Sequence, residues 1–270
     1  TFAQFSGGDA MNDALVSGAV DFVCGGAPGL LYLWDKTVGT PQEVRGVTAL
    51  GYFELLMNTR AAHIKGIEDF KDNDKIALSA VKVSGQALIL QMAAARKWGI
   101  ENWERLDKFT FPLPPPDQAA GMLSNNPAFE TSFASPPFTM LQLKNPAVRT
   151  ILKSSDIVGN ATSSVWWSSK RFHDANPKLY QAVINATKEA QAFIEKDLRT
   201  SVEYYIKDSG AKTSVDEVVD MLKTPGMGYH VAPDGFMVYA EFLNKIGRLK
   251  NKPASWKDLF WPEIHDLKGS

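Results

Sequence analysis

Side chains that commonly take part in catalysis are few in this sequence and widely spaced. The histidines, His63, His173, His230 and His265, lie far apart and show no metal-ligand spacing. Cys24 is the only cysteine, so an internal disulfide and a multi-cysteine metal site are excluded, and no histidine is evident as its partner. No Gly-x-Ser-x-Gly nucleophile motif is present. The sequence therefore predicts no catalytic residue, no metal site and no cofactor.

Two turns rich in serine and glycine are better suited to binding than to catalysis. Ser6-Gly7-Gly8-Asp9 and Val83-Ser84-Gly85-Gln86 each lead into a predicted helix. Backbone N–H groups at a helix N-terminus lack partners within the helix and can bind an anion, although an ordinary serine cap explains Ser84 as well. No Gly-Lys-Ser/Thr sequence follows the first turn, so a phosphate-loop nucleotide site is not predicted.

A pattern of helix, turn, strand, turn and helix occurs twice, in residues 9–33 and again in residues 117–141. The copies align without a gap at a constant offset of 108 residues, with Pro28 on Pro136. In the first copy the buried strand Phe22-Val23-Cys24 leads into a helix, and Pro28 suits the first turn of that helix. Such a connection places free N–H groups at a sheet edge where ligands bind. Chance similarity is the alternative, but the repeat favours two α/β lobes that face a shared cleft.

The chain is predicted to cross between these lobes at two extended segments. The apolar run at 54–58 follows the buried strand at 44–50 after only three residues, too few for a helical return to the same sheet. The segment at 163–169 is also strand-like and returns the chain to the first lobe. The predicted division is residues 1–56 and 162–270 in lobe one, residues 57–161 in lobe two, and hinge strands at 53–58 and 163–167. Within lobe two, strands are expected at 75–78 and 107–111, and a helix at 87–98.

Length and composition agree with two domains. The 270 residues are 44% hydrophobic, enough for a core in each domain, and the formal net charge is −1. Lysine and arginine are dispersed, so neither a nucleic-acid surface nor a polybasic membrane patch is predicted. No apolar run approaches the roughly 18 residues of a membrane span, and residues 1–25 lack the signal-peptide pattern. Residues 1–5 have the pattern of an interior strand, so we expect the chain to begin partway into a domain.

The binding pocket is expected where turns from both lobes converge. Helix N-termini there favour a negatively charged ligand group, and no arginine lies in these turns. Tyr52 and Trp166, near the predicted hinge, add an apolar wall that also suits an aromatic or heterocyclic solute. Asp9 would repel an anion if it pointed inward, so we expect it to cap its helix from the solvent side. The predicted ligand-binding residues are Ser6, Gly7, Ala27, Pro28, Tyr52, Ser84, Gly85, Gln86, Ser135, Pro136 and Trp166.

Several segments, taken in order, resemble the solute-binding proteins of nitrate/sulfonate/taurine ABC importers. They are ALVSGAVDF at 14–22, IKGIEDFKDNDKIALSAVKVSGQ at 64–86, ASPPF at 134–138, FHDANPKLYQAVINATKEAQAFI at 172–194 and IGRLKNKPASWKDLF at 246–260. No single segment is specific, but their order and spacing are. At residues 69–72 this sequence has Asp-Phe-Lys-Asp where the family has the motif Asp-Leu-Lys-Gly. This difference is expected to affect a turn and not the binding site.

This resemblance implies an α/β fold of two lobes joined by two crossing strands, the type II-like periplasmic-binding-protein fold, lacking its first strand–helix unit. It implies a substrate-binding component of an ABC importer rather than an enzyme. The expected ligand is a small anionic solute (sulfonate, carboxylate or nitrate-like) or a heterocycle. The expected partners are the membrane subunits of the importer, and nucleic acid is not an expected partner. The protein is expected to be a monomer, located in the periplasm or anchored on the outer face of the cell membrane.

Two other classes of protein stay open at this point. Cytosolic enzymes that form pyrimidine or menaquinone precursors resemble binding proteins of this fold. The pyrimidine enzymes call for a cysteine-rich motif, which a single cysteine cannot supply. The effector lobe of a transcription regulator would need an N-terminal helix-turn-helix segment, and none is visible.

Overall fold

Helices and strands alternate along the described part of the chain. The structure is a computed structural model and describes residues 2–3, 5, 8–210, 213–224 and 226–270. The strands are β1 Phe22–Gly26, β2 Val44–Phe53, β3 Leu56–Thr59, β4 Ile76–Leu78, β5 Thr110–Pro112, β6 Thr131–Ala134, β7 Arg149–Lys153, β8 Ser164–Ser169 and β9 Met227–Gly228. The helices are α1 Gly8–Ser17, α2 Ala27–Thr37, α3 Gly85–Trp98, α4 Pro115–Leu123, α5 Phe138–Gln142, α6 Ser155–Val158, α7 Lys170–Ala175, α8 Pro177–Lys196, α9 Leu198–Ser209, α10 Val215–Leu222 and α11 Met237–Lys245.

Within the described residues, the strands form two separate sheets. The first sheet has the order β1-β8-β2-β9, with β8 antiparallel to both β1 and β2. The second has the order β5-β4-β6-β3-β7, with β4 parallel to β5 and β6 and with β3 antiparallel to β6 and β7. The predicted α/β class is therefore confirmed, with mixed sheets.

The chain passes from one sheet to the other twice. β2 ends in the first sheet at Phe53 and β3 begins in the second at Leu56, so only Glu54 and Leu55 connect them. The chain returns through α6 and residues 159–163 to β8, which pairs along its length within the first sheet. The predicted strand at 163–167 thus belongs to the first sheet as part of β8, and the lobe bounds given above stay a prediction.

Both copies of the repeat form a helix, a strand and a helix, namely α1-β1-α2 and α4-β6-α5. β1 lies antiparallel to β8, and β6 lies antiparallel to β3, so each copy pairs with a strand next to a crossing. The copies differ at the second turn. α2 begins directly after β1 and has Pro28 in its first turn, whereas α5 begins only at Phe138, so Pro136 precedes the helix.

Burial alternates over the first four residues of β8 and is continuous along most of α3. Val165 and Trp167 are fully buried, whereas Ser164 and Trp166 on the opposite strand face are only partly buried. α3 is buried without interruption from its second residue to Ala94, because it also packs against α2 and α6. This helix is therefore held from several sides, and its N-terminus is a fixed part of the fold.

Two predicted strands differ from the structure. Residues Asp107–Phe109 form a 3-10 turn and β5 begins only at Thr110, because both carboxylate oxygens of Asp107 accept from the Gln91 amide of α3, at 2.9 and 3.1 Å. In the strand predicted at residues 1–5, Thr1 and Gln4 lie outside the described residues, and Phe2, Ala3 and Phe5 belong to no strand. We find no described helix with the length and apolar character needed to cross a bilayer.

Candidate functional site

A cleft of about 1080 Å³ lies where the two sheets and their helices meet. On the first-sheet side it is lined by α1, the beginning of α2 and the end of β2. On the second-sheet side it is lined by the turn before α3 and the residue after β6. The connections between the sheets, including Glu54, Leu55 and Ser163, form part of its wall. A ligand of ordinary metabolite size fits such a volume.

Most of the predicted binding residues come together in this cleft. Those among its described lining residues are Ala27, Pro28, Tyr52, Ser84, Gly85, Gln86 and Ser135. Pro136 and Trp166 do not line it, and Ser6, Gly7 and the Asp9 side chain lie outside the described residues. Pro136 is displaced because α5 starts later than α2 does in the repeat.

Trp167, and not Trp166, forms the tryptophan wall of the cleft. Because side chains alternate along β8, the two tryptophans point to opposite faces of the first sheet. The Trp167 indole N–H donates to Asn12 Oδ1 at 3.0 Å, and Asn12 Nδ2 donates to the Gly29 carbonyl at 3.2 Å. A Cβ built at Gly25 would lie 2.9 Å from the Trp167 ring, so only glycine leaves room for the indole there. The sequence shows two adjacent tryptophans but not which one faces inward.

The N-terminus of α3 presents unused hydrogen-bond donors to the cleft. Ser84 Oγ accepts from the Ala87 N–H at 3.2 Å, so the serine caps the helix. The N–H groups of Gly85 and Gln86 have no acceptor among the described residues. The Gln86 side chain is only 7% exposed and likewise makes no hydrogen bond within the described chain. Serine capping and ligand binding are therefore compatible at this turn.

The N-terminus of α2 offers fewer donors than that of α3. The Ala27 N–H donates to the Ser163 carbonyl at 3.2 Å, and Pro28 has no N–H. Gly26, the cap residue, contributes no side-chain hydrogen bond. The helix N-termini of α2 and α3 at the cleft are therefore unequal, because that of α2 is partly satisfied by the connection that precedes β8.

Charged side chains are sparse around the cleft. Among its described lining residues, Lys36 is the cation and Asp13 and Glu54 are the anions, and no arginine is present. Glu54 accepts a hydrogen bond from the Ser155 hydroxyl, and its N–H donates to the Gly226 carbonyl at 2.8 Å. Hydrogen bonding at the inner surface therefore falls to neutral groups, chiefly serine hydroxyls, amides and backbone N–H groups.

The two connections between the sheets are bonded to each other through serines. The Phe53 N–H donates to Ser163 Oγ at 2.9 Å, and the Leu55 N–H donates to Ser154 Oγ at 2.9 Å. The Ser154 N–H returns a bond to the Leu55 carbonyl, also at 2.9 Å. Side chains replace the regular strand ladder here, so the connections are linked without forming a continuous sheet. Serines in these segments gave no signal of this role in the sequence.

Solved structures share this architecture. The periplasmic aliphatic sulphonate binding protein SsuA from Escherichia coli has a TM-score of 0.67 to this chain at 19% identity, covering 96% of this chain and 87% of its own. A Candida albicans protein of the generic periplasmic binding protein structural fold has a TM-score of 0.70 at 13% identity, covering 94% and 82%. The chain has the periplasmic-binding-protein fold. The nitrate-binding protein NrtA from Synechocystis PCC 6803 is also similar, with a TM-score of 0.65 at 16% identity, covering 94% and 74%.

This fold agrees with the fold class predicted from the sequence. The similarity to nitrate- and sulfonate-binding proteins agrees with the resemblance predicted from the sequence segments. These identities are low, so the likeness establishes the fold and leaves the ligand to be argued from the cleft. No protein-family model and no curated protein matches the sequence.

Within this periplasmic-binding-protein fold, Tyr52 is held in place by two residues that the sequence analysis missed. A Cβ built at Gly228 would lie 2.3 Å from Tyr52 Cε1, so the ring packs flat against that glycine. The His230 ring lies 5.8 Å from the Tyr52 ring between centroids, and its Nε2 is 2.9 Å from Thr162 Oγ1. Burial lowers the pKa of His230, against an opposing effect of Asp234, which favours a neutral imidazole behind the tyrosine.

In the described part of the chain, the cleft contains neither a cluster of metal ligands nor the cysteine. Among the described residues, no group of three or more His, Cys, Asp and Glu side chains is placed to hold a metal ion. Cys24 does not line the cleft, its sulfur is 4.0 Å from Ser164 Oγ, and burial raises the pKa of its thiol. A thiol of raised pKa is a poor nucleophile, so Cys24 supports no catalytic assignment.

Proposed function

We propose that this protein is the substrate-binding component of an ABC importer and captures one small solute in the cleft between its lobes. The observation that carries the proposal is the N-terminus of α3. There, two backbone N–H groups and the buried Gln86 side chain face the cleft without partners among the described residues. Buried polar groups are normally hydrogen-bonded, so unpartnered ones in a cleft of this size are suited to a ligand.

The solute is proposed to be a small anion, such as a sulfonate, a carboxylate or a nitrate-like ion, or a heterocycle. The proposed contacts are Ala27, Pro28, Tyr52, Ser84, Gly85, Gln86 and Ser135. Each helix N-terminus stabilises a negative group by about 0.3–1 kcal/mol, and by up to about 2 kcal/mol when partly buried. The cleft volume of about 1080 Å³ leaves room for an organic portion beside Tyr52 and Trp167.

Binding is proposed to close the two lobes, which are residues 1–56 with 162–270 and residues 57–161. A ligand that touches both lobes shifts the population toward the closed form by its differential affinity for that form. The serine-linked connections at Phe53, Leu55 and Ser163 are suited to a hinge because few bonds must adjust there. No chemical change of the solute is part of this proposal.

Delivery to membrane-spanning importer subunits completes the proposed role. Solved structures of the same fold include proteins named for sulphonate and nitrate binding, which supports the assignment to transport. The proposed location is the periplasm, or the outer face of the cell membrane if an anchor is present, and the proposed form is a monomer. The opposing candidate is a cytosolic enzyme of the same fold.

A thermal-shift screen tests this function. The panel contains sulfonates, carboxylates, nitrate and pyrimidines, with cations and sugars as controls. A ligand that binds only the folded state raises stability by about 2.7 kcal/mol at 100 times its Kd. We expect an anion of the panel to raise the unfolding midpoint. If only cations or sugars do so, the anion pocket is wrong. If the purified protein turns over a bound solute, the enzyme alternative replaces the transport role.

A further inference from the structure

Tyr239 of α11 is a cleft residue whose hydroxyl has no partner within the described chain. The side chain is 5% exposed and lines the main cleft. It was not among the residues that the sequence placed at the site, because one tyrosine in an amphipathic helix looks like an ordinary core residue. Burial raises the pKa of this hydroxyl, so it stays protonated and can donate a hydrogen bond at neutral pH.

α11 and α3 both border one small cavity at the boundary between the proposed lobes. Met92 and Arg96 of α3 and Phe242 and Lys245 of α11 line one small cavity of about 400 Å³ outside the main cleft. Ile89 lies one turn before Met92 on α3, Tyr239 lies one turn before Phe242 on α11, and both line the main cleft. Gln86, which lies one further turn toward the start of α3, lines it as well. Tyr239 and Gln86 therefore line the same cleft, Tyr239 from proposed lobe one and Gln86 from proposed lobe two.

Neither polar group is satisfied by the chain in this arrangement. Gln86 is 7% exposed and Tyr239 is 5% exposed, and both side chains lack a hydrogen-bond partner among the described residues. A phenol donates one hydrogen bond and a carboxamide donates two, so together they match a group with several acceptor oxygens. Unpartnered polar groups in the wall of a cleft are available to bind a ligand or water.

We infer that the Tyr239 hydroxyl and the Gln86 amide bind the same oxygen-bearing head group of the solute, one from each lobe. The inference rests on the proposed function and deepens it, because it assigns a specificity-determining residue to each side of the cleft. The matching ligand class is an oxyanion such as a sulfonate. Because the donors belong to different lobes, both bonds form only when the lobes are closed.

Calorimetric titration of ethanesulfonate, butyrate and nitrate into the wild type and its variants tests this inference. Tyr239→Phe removes one oxygen and keeps the ring, and Gln86→Leu removes the amide. We expect each to weaken binding of the bound probe about tenfold or more. The double variant should lose less than the product of the two effects, because both groups hold the same head group. Fully multiplicative losses would contradict the shared contact.

Tyr180→Phe is the matched control. Tyr180 is fully buried and does not line the cleft. We expect this control to bind the probe as the wild type does. A merely structural Tyr239 would change only the unfolding midpoint in Tyr239→Phe. If water rather than solute binds the two groups, both variants keep the wild-type affinity. Either result overturns the inference while the proposed function stands. If the wild type binds none of these oxyanions, this inference fails, and the thermal-shift screen with pyrimidines decides whether the proposed function fails with it.

Discussion

The Arg248 guanidinium carbon lies 4.6 Å from the centroid of the Trp103 ring, across the boundary between the proposed lobes. Arg248 Nη1 also donates to the Lys82 carbonyl at 2.6 Å and lies 3.4 Å from the Tyr32 hydroxyl. In the proposed division, Trp103 and Lys82 fall in lobe two, whereas Arg248 and Tyr32 fall in lobe one. If the lobes separate, the contacts to Trp103 and Lys82 are broken, so this arginine favours the closed form.

Replacement of Arg248 by alanine should therefore weaken ligand binding without any loss of ligand contacts. A partly desolvated cation–π contact contributes about 0.5–2 kcal/mol, which corresponds to a loss of roughly 3- to 30-fold in affinity. The loss should appear as faster dissociation in stopped-flow measurements. Arg105→Ala is the control, because the Arg105 guanidinium carbon lies 4.8 Å from the centroid of the Trp98 ring and both residues fall within the proposed lobe two. Equal losses in both variants would rule out a closing role for Arg248.

Bulky replacement of Gly85 should block the cleft, whereas alanine should not. A Cβ at Gly85 would meet Leu55 Cδ1 at 3.7 Å, an ordinary contact, so Gly85→Ala is expected to fold normally and to bind within about threefold of the wild type. A tryptophan at this position extends into the ligand space and should lower affinity at least about tenfold. Calorimetric titration measures both. Unchanged affinity in the tryptophan variant, with an unchanged unfolding midpoint, would place the ligand elsewhere.

Removing the Ser154 hydroxyl should destabilise the connection between the sheets. Ser154 is 8% exposed, and its oxygen accepts from the Leu55 N–H at 2.9 Å. In Ser154→Ala that N–H is left without its partner, which costs about 1–3 kcal/mol of unfolding free energy. Urea denaturation measures the change. Ser17→Ala removes an exposed hydroxyl that donates to the Ala14 carbonyl at 3.0 Å and should change stability by less than about 0.5 kcal/mol. A Ser154 effect as small as the Ser17 effect would contradict the assignment.

His230 should make the protein less stable as the pH falls. Burial lowers its pKa in the folded state, so the folded protein binds fewer protons here than the unfolded chain does. The stabilisation is present above the unfolded-state pKa of about 6.5 and is lost as the pH falls through the lower folded-state pKa. Between pH 7.5 and pH 5, the wild type should lose more unfolding free energy than His230→Gln, since other titrating groups cancel in the difference. Equal losses would show that His230 is not the responsible group.

The sequence predicted the fold well because local patterns determine it. Pro28 and the strand at 22–24 identified the first strand–helix unit, and the aligned segment containing Ser135 identified the second. Ser84-Gly85-Gln86 was predicted to begin a helix at a binding site, and the structure places all three residues in the cleft. These features depend on residues close together in the chain, where spacing and helix-start chemistry are visible.

Features that depend on contacts between distant segments could not be predicted. The choice between Trp166 and Trp167 depends on which face of the first sheet meets α1, through the bond from Trp167 to Asn12. Tyr239 lines the cleft because the fold brings α11 against α2, an element more than 200 residues away in the chain. The bond from Arg248 to Lys82 joins residues 166 positions apart. No periodicity in a single sequence reports such pairings.

Small-angle X-ray scattering with and without ligand tests the central claim most directly. The sample is the wild type, saturated with the anion that gives the largest thermal shift, and saturation is verified by calorimetry on the same sample. If the protein captures solute by lobe closure, the radius of gyration falls on saturation and the ligand-free value is restored after dialysis. An identical radius with and without bound ligand would contradict capture by closure of the cleft.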